Sequence, residues 1–155
     1  MKNRSSSSRH ARLAALVVLS AAGAIHAEPA ASDTARISVL VGPLRSGNGS
    51  VGCRLYTSSD GFPRTARGTQ NVRVKVTGKS ARCVFEKLKP GTYAVTVHHD
   101  ENDNRKFDTN FVGMPLEGYG VSNNHTYAMS APRWDESKVV VDAGKQLELG
   151  VSVRY

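Results

Sequence analysis

The chain has 155 residues, enough for one domain with its own hydrophobic core and short for two. Its formal net charge is +8, but four basic and no acidic residues lie in the first 27 positions, so residues 28–155 carry only +4. The remaining basic residues are scattered, without a Lys/Arg block or a basic helix, which argues against nucleic acid as a partner.

The N-terminus has the pattern of a secretory signal peptide. Four basic residues precede a short apolar segment, residues 13–25, and the small residue Ala27 follows it. The apolar segment is shorter than the roughly 20 residues that a membrane-spanning helix needs. We therefore expect cleavage after Ala27, no membrane span in the mature chain, and a periplasmic or secreted protein. Residues 28–34 predict a flexible leader, and residues 35–155 a single β-sandwich domain.

From residue 35 onward, apolar and polar positions alternate in short runs that turn residues separate. Alternating runs rich in β-branched residues predict strands. Seven such runs follow one another, near residues 37–41, 51–55, 72–76, 83–85, 93–97, 139–141 and 147–153. Because the pattern contains no helical stripe, it predicts an all-β fold, an antiparallel Greek-key sandwich of about seven strands.

The two cysteines, Cys53 and Cys83, occupy core-facing positions of two predicted strands. In an oxidising compartment, an even pair of this kind predicts a disulfide. Neither cysteine belongs to a CxxC motif, and no histidine stands at zinc spacing from them. Redox and zinc-binding roles are therefore disfavoured.

The segment "LKPGTY", residues 88–93, predicts a turn that leads into a strand. A tyrosine just after such a turn can fold back and hydrogen-bond to it, as in the tyrosine corner of Greek-key sandwiches. The alternative is that Tyr93 is only an aromatic residue of the core. Both interpretations leave the fold unchanged.

The connection between the fifth and sixth predicted strands, residues 98–137, is too long for an ordinary hairpin loop. It also carries enough large apolar side chains to pack, namely Phe107, Phe111, Met114, Tyr119, Tyr127 and Trp134. We therefore expect a folded excursion that holds the functional site. Phe107, Phe111 and Tyr119 are its predicted core-facing residues.

Within the excursion, Asp100, Asn102, Asn104 and Asp108 have the alternate spacing of a calcium-binding loop. Arg105 stands where such a loop has glycine, and a bidentate glutamate is missing, so affinity would be of order 10⁻⁴–10⁻³ M at best. Alternatively, these side chains cap their own backbone in successive Asx-turns. We favour the caps, and a weakly bound calcium ion is the one cofactor that the sequence leaves open.

Four residues later in the excursion suit the recognition of a sugar or peptide: Tyr119, Asn123, Asn124 and Trp134. Aromatic faces stack on such ligands, and amides form paired hydrogen bonds with them. Asparagine and glycine are also the usual residues of tight turns, and Trp134 could instead cover the core. The sequence favours this scaffolding role and keeps recognition as the alternative.

The adjacent residues His98 and His99 face opposite sides of a strand and so cannot share a metal without a kink. One of them beside a carboxylate would form a candidate acid–base pair. The sequence contains no GxSxG, HExxH or phosphate-loop motif, and no spacing that requires a catalytic triad. A hydrolase that uses His99 or Glu117 is therefore the least favoured function.

Four segments together carry a family resemblance: "GFP" at 61–63, "LKPGTYAVTVHHDENDN" at 88–104, "DTNFVGMPLEGYGVSNN" at 108–124 and "APRW" at 131–134. From about residue 37 to residue 155, the chain resembles the bacterial exported domain-of-unknown-function family numbered twenty-one forty-one. The resemblance implies a secreted or periplasmic β-sandwich, similar to prealbumin-like and carboxypeptidase-regulatory-like modules, and no established activity. The family usually has glycine after its Asp-x-Asn-x-Asn pattern, where this chain has Asp103 or Arg105.

Three functions fit these observations. The first is an exported, non-catalytic and monomeric envelope module that binds a polymer or protein partner through residues 98–134. The second is a structural or accessory domain whose loop is stabilised by hydrogen bonds or by a weak calcium ion. The third is the hydrolase.

Overall fold

The computed structural model describes residues 33–64, 70–126 and 130–155. The expected signal peptide, residues 28–32 of the leader and Tyr127 lie outside the described residues. Within them, eight strands form two sheets, which confirms the predicted all-β sandwich. The strands are β1 (Ala35–Val41), β2 (Ser50–Tyr56), β3 (Gln70–Lys75), β4 (Ala81–Leu88), β5 (Gly91–Asp100), β6 (Gly118–Val121), β7 (Val139–Val141) and β8 (Gln146–Val151).

The smaller sheet has the strand order β4–β1–β8, and the larger sheet has the order β3–β2–β5–β6. The short strand β7 pairs with the first residues of β5. Strand pairing is antiparallel except between β1 and β8, which run parallel. These two strands are the first and last of the domain, so a long crossover through the other strands separates them, as parallel pairing requires.

The register of β2 and β5 defines two ends of the sandwich. Ser50 lies opposite Asp100, and Tyr56 lies opposite Ala94. The excursion end, near Ser50, comprises the loops 42–49 and 101–117 and the C-terminal residues 152–155. The helix end, near Tyr56, comprises residues 57–64, the α-helix α1 (Trp134–Ser137) and the turn 142–145.

The core lies between the sheets because alternate residues of each strand face inward. Ile37, Val39 and Val41 of β1 are fully buried, whereas Leu40 is exposed. The disulfide between Cys53 of β2 and Cys83 of β4 links the two sheets across this core, with Cα atoms 6.3 Å apart. Because it closes a loop of 30 residues, loop entropy predicts a stabilisation of about 3–4 kcal/mol.

Tyr93 combines the two roles that the sequence suggests. Its hydroxyl donates a 2.6 Å hydrogen bond to the carbonyl oxygen of Lys89, across the turn before β5. Its ring is buried in the core. Burial penalises the phenolate and so raises the pKa of Tyr93 above its ordinary value.

The strand β6 is an addition to the seven that alternation predicts. Its sequence, GYGV, contains two glycines and no β-branched run, so propensity alone does not identify it. It pairs with β5 from Thr96 to His99 and brings part of the excursion into the larger sheet. Within the described ranges, no helix is long and apolar enough to cross a membrane.

Candidate binding site at the excursion end

Asp100 anchors the excursion at the last residue of β5. Its side chain is fully buried, and Oδ2 accepts 2.7 Å hydrogen bonds from Arg73 Nη1 and from the backbone N–H of Arg105. Oδ1 accepts a further bond from the N–H of Asn104. Arg73 Nη1 also donates to Ser50 Oγ at 2.6 Å. The buried carboxylate is thus fully paired, which is the condition for its charge to be tolerated.

The residues after Asp100 form successive Asx-turns. Asn102 Oδ1 accepts from the N–H of Asn104 at 3.0 Å, and Asn104 Oδ1 accepts from the N–H of Lys106 at 2.8 Å. Both amide nitrogens donate to Asp108 Oδ2 at 2.8 Å. If either side-chain amide were flipped, its NH2 group would face a backbone N–H and its oxygen would face the Asp108 carboxylate. Both contacts would be repulsive, so the hydrogen bonds determine the orientation of each amide.

The four possible calcium ligands predicted from the sequence, Asp100, Asn102, Asn104 and Asp108, are already engaged in these hydrogen bonds. A calcium ion needs oxygens that converge on one point. Here Asn102 and Asn104 turn nitrogen, not oxygen, toward Asp108, and both oxygens of Asp100 accept hydrogen bonds. In the described part of the chain, no group of three or more His, Cys, Asp or Glu side chains is arranged to hold a metal ion. The hydrogen bonds are those expected of backbone caps.

Two non-glycine residues of this loop adopt left-handed backbone conformations, Asp103 with φ 60° and Arg105 with φ 65°. These are the two candidate positions for the glycine of the family pattern, which a left-handed conformation explains. Asp103 has compensating contacts with Ser50 Oγ at 2.6 Å and Lys75 Nζ at 3.2 Å. The hydrogen bond from Ser50, followed by that from Lys75, lowers the pKa of Asp103.

Arg45 joins the two ends of the loop 101–117. Its Nε donates to Glu101 Oε2 at 2.7 Å, and its Nη2 donates to the carbonyl oxygen of Leu116 at 3.2 Å. Its guanidinium lies 4.3 Å from the centre of the Tyr155 ring. The hydrogen bond from Arg45 lowers the pKa of Glu101, and Ser46 contributes in the same direction.

His99 is a structural residue of this end. It is fully buried, with Nε2 3.0 Å from the carbonyl oxygen of Asn48 and Nδ1 2.7 Å from the hydroxyl of Tyr155. A carbonyl only accepts, so Nε2 carries the hydrogen. The Tyr155 hydroxyl accepts from the N–H of Arg45 and can donate to Nδ1. Both ring nitrogens are therefore occupied, and neither faces solvent.

His98 and Glu117 form a second pair, on the other face of β5. His98 Nε2 lies 2.6 Å from Glu117 Oε2, which also accepts from the N–H of Asp108 at 3.2 Å. Glu117 is buried, and its Oε1 has no hydrogen-bond partner. Among the described residues, Glu117 is the one hydrogen-bond partner of the His98 ring. The pair thus has the composition of an acid–base dyad, without a hydroxyl or thiol nucleophile hydrogen-bonded to it in those ranges.

An aromatic group covers this pair. The Phe107 ring stands edge-on to His98 at 5.1 Å and to Tyr119 at 6.3 Å. Phe107 is nevertheless 47% exposed, so it forms the boundary between the paired polar groups and solvent. Tyr119 is half-buried on β6, opposite His98.

Residues 109–115 form a tight turn that projects apolar side chains. Thr109 pairs with Pro115, and the side chain of Asn110 accepts hydrogen bonds from the N–H groups of Val112 and Met114. Phe111 is 99% exposed and Val112 is 64% exposed. The term apolar tip denotes the five exposed apolar residues of this region, Phe107, Phe111, Val112, Met114 and Leu116.

The prediction that Phe107 and Phe111 face the core is wrong. The turn satisfies its backbone with Asn110 and with its own N–H and carbonyl groups, including a bond from Asn110 N–H to Met114 O. Closed in this way, the turn leaves Phe111 almost fully exposed, at 99%. Of the three predicted residues, Tyr119 alone packs substantially, because it belongs to the larger sheet.

The structure does not bring the four predicted ligand-binding residues together. Tyr119 lies at the excursion end beside Phe107. Trp134 begins α1 at the helix end, where its ring meets Phe62 at 5.8 Å, and Phe62 meets Tyr56 at 5.0 Å. Trp134 thus covers an aromatic group at the opposite end from Tyr119.

Asn123 and Asn124 hold the backbone of neighbouring segments. The Asn123 amide donates to the carbonyl oxygens of Glu136 and Lys138. The Asn124 amide donates to Gly150 O and accepts from the N–H of Ser152, each at 2.8 Å. Both residues have left-handed φ angles, which asparagine tolerates better than most residues. Their amides therefore serve the turn role that the sequence offered beside recognition.

Sequence reasoning did not identify Val112, Met114 and Leu116 as surface residues, or Arg45 as the residue that joins the loops. The available signal was the string "TNFVGMP", because Asn, Gly and Pro this close together mark a tight turn. Apolar residues inside a tight turn have no strand to carry them to the core. The role of Arg45 depends on a contact 71 residues away, for which one sequence gives no signal.

The family described as "Uncharacterized protein conserved in bacteria (DUF2141)" matches residues 39–148, more than two thirds of the chain. The chain belongs to this family. No curated protein and no solved structure matches the sequence significantly. The matched range contains the whole excursion, so the Asx loop and the apolar tip lie within the DUF2141 domain. The family description names no activity.

Proposed function

We propose that this DUF2141 protein is an exported, non-catalytic and monomeric module that binds a component of the cell envelope through the apolar tip. The observation that carries the proposal is the exposure of five large apolar side chains between Phe107 and Leu116. Single exposed apolar residues are common on proteins, but contiguous groups of them mark contact surfaces.

The hydrogen bonds that hold the tip in one conformation support this proposal. Arg45 binds Glu101, which precedes the tip, and the backbone carbonyl of Leu116, the last residue of the tip. The Asx-turns fix the residues between Glu101 and Phe107. A loop held in one conformation before binding loses less conformational entropy when it binds. The disulfide between Cys53 and Cys83 is compatible with an oxidising, extracytoplasmic compartment.

The chemistry of the tip narrows the class of partner. The two amides that suited sugar recognition are occupied, because those of Asn123 and Asn124 bind backbone carbonyls. Trp134 packs against Phe62 at the other end of the sandwich. The tip itself is aliphatic and aromatic, which favours a protein or lipid surface over a carbohydrate.

Fractionation of cells that export the protein tests the proposal. The double variant Phe111→Ser/Met114→Ser removes apolar surface from the tip, and Val140→Ser removes it from the helix end, where Val140 is 66% exposed. We expect the wild-type protein and the Val140→Ser variant to remain with the envelope fraction and the tip variant to become soluble. Equal distribution of all three proteins would contradict the proposal.

The second candidate function, a structural domain with a stabilised loop, is favoured by the hydrogen bonds of Asp100, Asn102, Asn104 and Asp108. If these side chains act only as caps, Asp108→Ala should lower the melting temperature equally in calcium and in chelator. If a calcium ion holds the loop, about 10 mM calcium, well above the affinity range of such sites, should stabilise the wild-type protein. Asp108→Ala should then remove that calcium-dependent gain.

A further inference from the structure

We infer that the surface bound by the apolar tip is an anionic lipid interface. This inference rests on the proposed function and adds the chemistry of the partner to it. It depends on two properties of the excursion end: the projection of Phe111 from the domain, and the sign of the exposed charges beside the apolar tip that lack an ion-pair partner.

The shape of the tip suits a fluid interface better than a protein surface. A stable protein interface buries about 800 Å² on each partner and needs a complementary surface. Phe111 is 99% exposed at the end of a short closed turn, so it projects from the domain without forming part of a broad face. A lipid interface accepts a few inserted apolar side chains without a preformed pocket.

Three of the five acidic side chains at the excursion end form ion pairs within the protein: Asp100 with Arg73, Glu101 with Arg45, and Asp103 with Lys75. Glu117 is hydrogen-bonded to the His98 ring, and Asp108, which is half-buried, accepts from the neutral amides of Asn102 and Asn104. The deepest of these carboxylates, Asp100 and Glu117, are also buried.

The basic residues immediately before the tip are not paired in this way. Arg105 and Lys106 are both exposed, and neither forms an ion pair within the described residues. The exposed charged side chains next to Phe107 that lack an ion-pair partner are therefore positive, whereas the carboxylates of Asp108 and Glu117 are half-buried and buried. Positive charge next to apolar side chains complements an anionic lipid surface, where headgroups attract Lys and Arg and acyl chains accept the apolar groups.

Phe107 lies between the basic residues Arg105 and Lys106 and the exposed apolar residues of the turn. Its ring covers the His98–Glu117 pair on one side and is 47% exposed on the other. It follows Lys106 in the chain and precedes the turn that carries Phe111. Aromatic rings are favoured at the headgroup level of membranes, so this position matches an interface with basic groups above and apolar groups below.

Vesicle sedimentation with purified protein tests the inference. The probes are vesicles of phosphatidylcholine alone and of phosphatidylcholine mixed with phosphatidylglycerol. The variants are Phe111→Ser/Met114→Ser for the tip and Arg105→Gln/Lys106→Gln for the basic pair. Matched controls at the helix end are Val140→Ser and Lys89→Gln/Lys145→Gln, which remove equivalent groups from exposed positions. Wild type and all variants are purified from the exported fraction. Residues 1–27 are therefore processed in the same way in every protein and cannot account for a difference in vesicle binding.

We expect wild-type protein to bind the anionic vesicles and to lose affinity as salt screens the headgroups. Loss of Arg105 and Lys106 should weaken binding by about twenty- to thirty-fold, since each basic residue near an anionic surface contributes about five-fold. The tip variant should bind neither type of vesicle, and the two controls should bind like wild type. Unchanged melting temperatures establish that the variants are folded.

Two results would overturn the inference. One is equal vesicle binding by wild type and the tip variant, and the other is an absence of binding to either vesicle composition. If the second result occurs while retention in the envelope fraction still depends on Phe111 and Met114, the lipid inference fails and a protein partner takes its place under the proposed function. If that retention is also lost, the proposed function fails with it.

Discussion

The part of the excursion between β5 and β6 consists of two halves that hold their shape in opposite ways. In the polar half, residues 100–108, Asp and Asn side chains bind the backbone and one another. In the apolar half, residues 109–116, Asn110 and backbone bonds close the turn, and the apolar side chains take little part. The polar half therefore holds the conformation of the segment, and the apolar half presents side chains that are exposed for contact.

The difference between the two halves explains how an apolar side chain such as Phe111 is kept out of the core. Buried apolar side chains each contribute about 1.5–3 kcal/mol, so a loose loop would fold Phe111 against the sandwich. Arg45 and Asp100 oppose this by holding the two ends of the segment that carries Phe111, through bonds to Leu116 and Arg105.

The largest effect is expected at Asp100. Asp100→Ala leaves the Arg73 guanidinium and two backbone N–H groups without their buried acceptor. The free energy of unfolding, measured by denaturant titration, should fall by about 3–5 kcal/mol. The control is Asp60, which is exposed. Asp60→Ala should change the free energy of unfolding by less than about 0.5 kcal/mol. Similar losses in both variants would show that Asp100 is not the anchor of the polar half.

A smaller and pH-dependent effect is expected at Glu101. Its pKa is lowered below the ordinary value of 4.5 in the folded protein, chiefly by the hydrogen bond from Arg45. A lowered folded-state pKa adds stability above the unfolded pKa, and that stability is lost as pH falls through the folded value.

Glu101→Gln should therefore lower the free energy of unfolding by about 1 kcal/mol at pH 7. The difference from wild type should shrink as pH falls below the ordinary pKa and vanish once pH lies below the lowered pKa of the folded protein. Melting temperatures from pH 7 downward measure this convergence. Glu86→Gln, which alters a more exposed pair with Arg36, should have a smaller effect. A difference at Glu101 that stays constant with pH would exclude the ion pair as its cause.

The left-handed conformation of Arg105 predicts a gain in stability. Arg105→Gly relieves the cost of a side chain at φ 65° and should stabilise the protein by about 0.5 kcal/mol after the entropy of glycine is counted. Lys106→Gly, at a neighbouring position without positive φ, should destabilise by a similar amount. Thermal unfolding of both variants checks the prediction, and destabilisation by both would contradict it.

The smallest effect on stability is expected at the tip. Phe111→Ser should change the free energy of unfolding by less than about 0.5 kcal/mol, because the side chain is almost fully exposed. Phe85→Ala, in the core, should cost about 3–5 kcal/mol. A loss of more than about 2 kcal/mol at Phe111 would place it among residues that build the fold.

Alternation and turn residues were sufficient to predict the sandwich, the disulfide and the turn before Tyr93. Each of these depends on local pattern, since a strand shows period two and a core-facing cysteine has few possible partners. The missed strand β6 shows the limit of this reasoning. A Cβ atom at Gly118 would collide with Val153 and Tyr155, and one at Gly120 would collide with the backbone of Ser152, so glycine is required by residues that lie far along the chain.

The candidate site was harder to predict than the fold. Spacing identified Asp100, Asn102, Asn104 and Asp108 as a unit, and the structure joins them in one hydrogen-bond network. The direction of Phe111 was not predictable, because composition alone does not tell whether an apolar residue in a loop can reach the core. That direction depends on the turn closed by Asn110 and on the Arg45 bond to Leu116, and the latter is set by tertiary structure.

The most direct test of the account places a photo-crosslinking phenylalanine analogue at position 111 of the exported protein in living cells. The same analogue at position 140, on an exposed residue of the helix end, is the control. The account predicts crosslinks to an envelope component, lipid or protein, from position 111 and none above background from position 140. Equal crosslinking at the two positions, or none from position 111, would contradict the claim that the apolar tip is the contact surface.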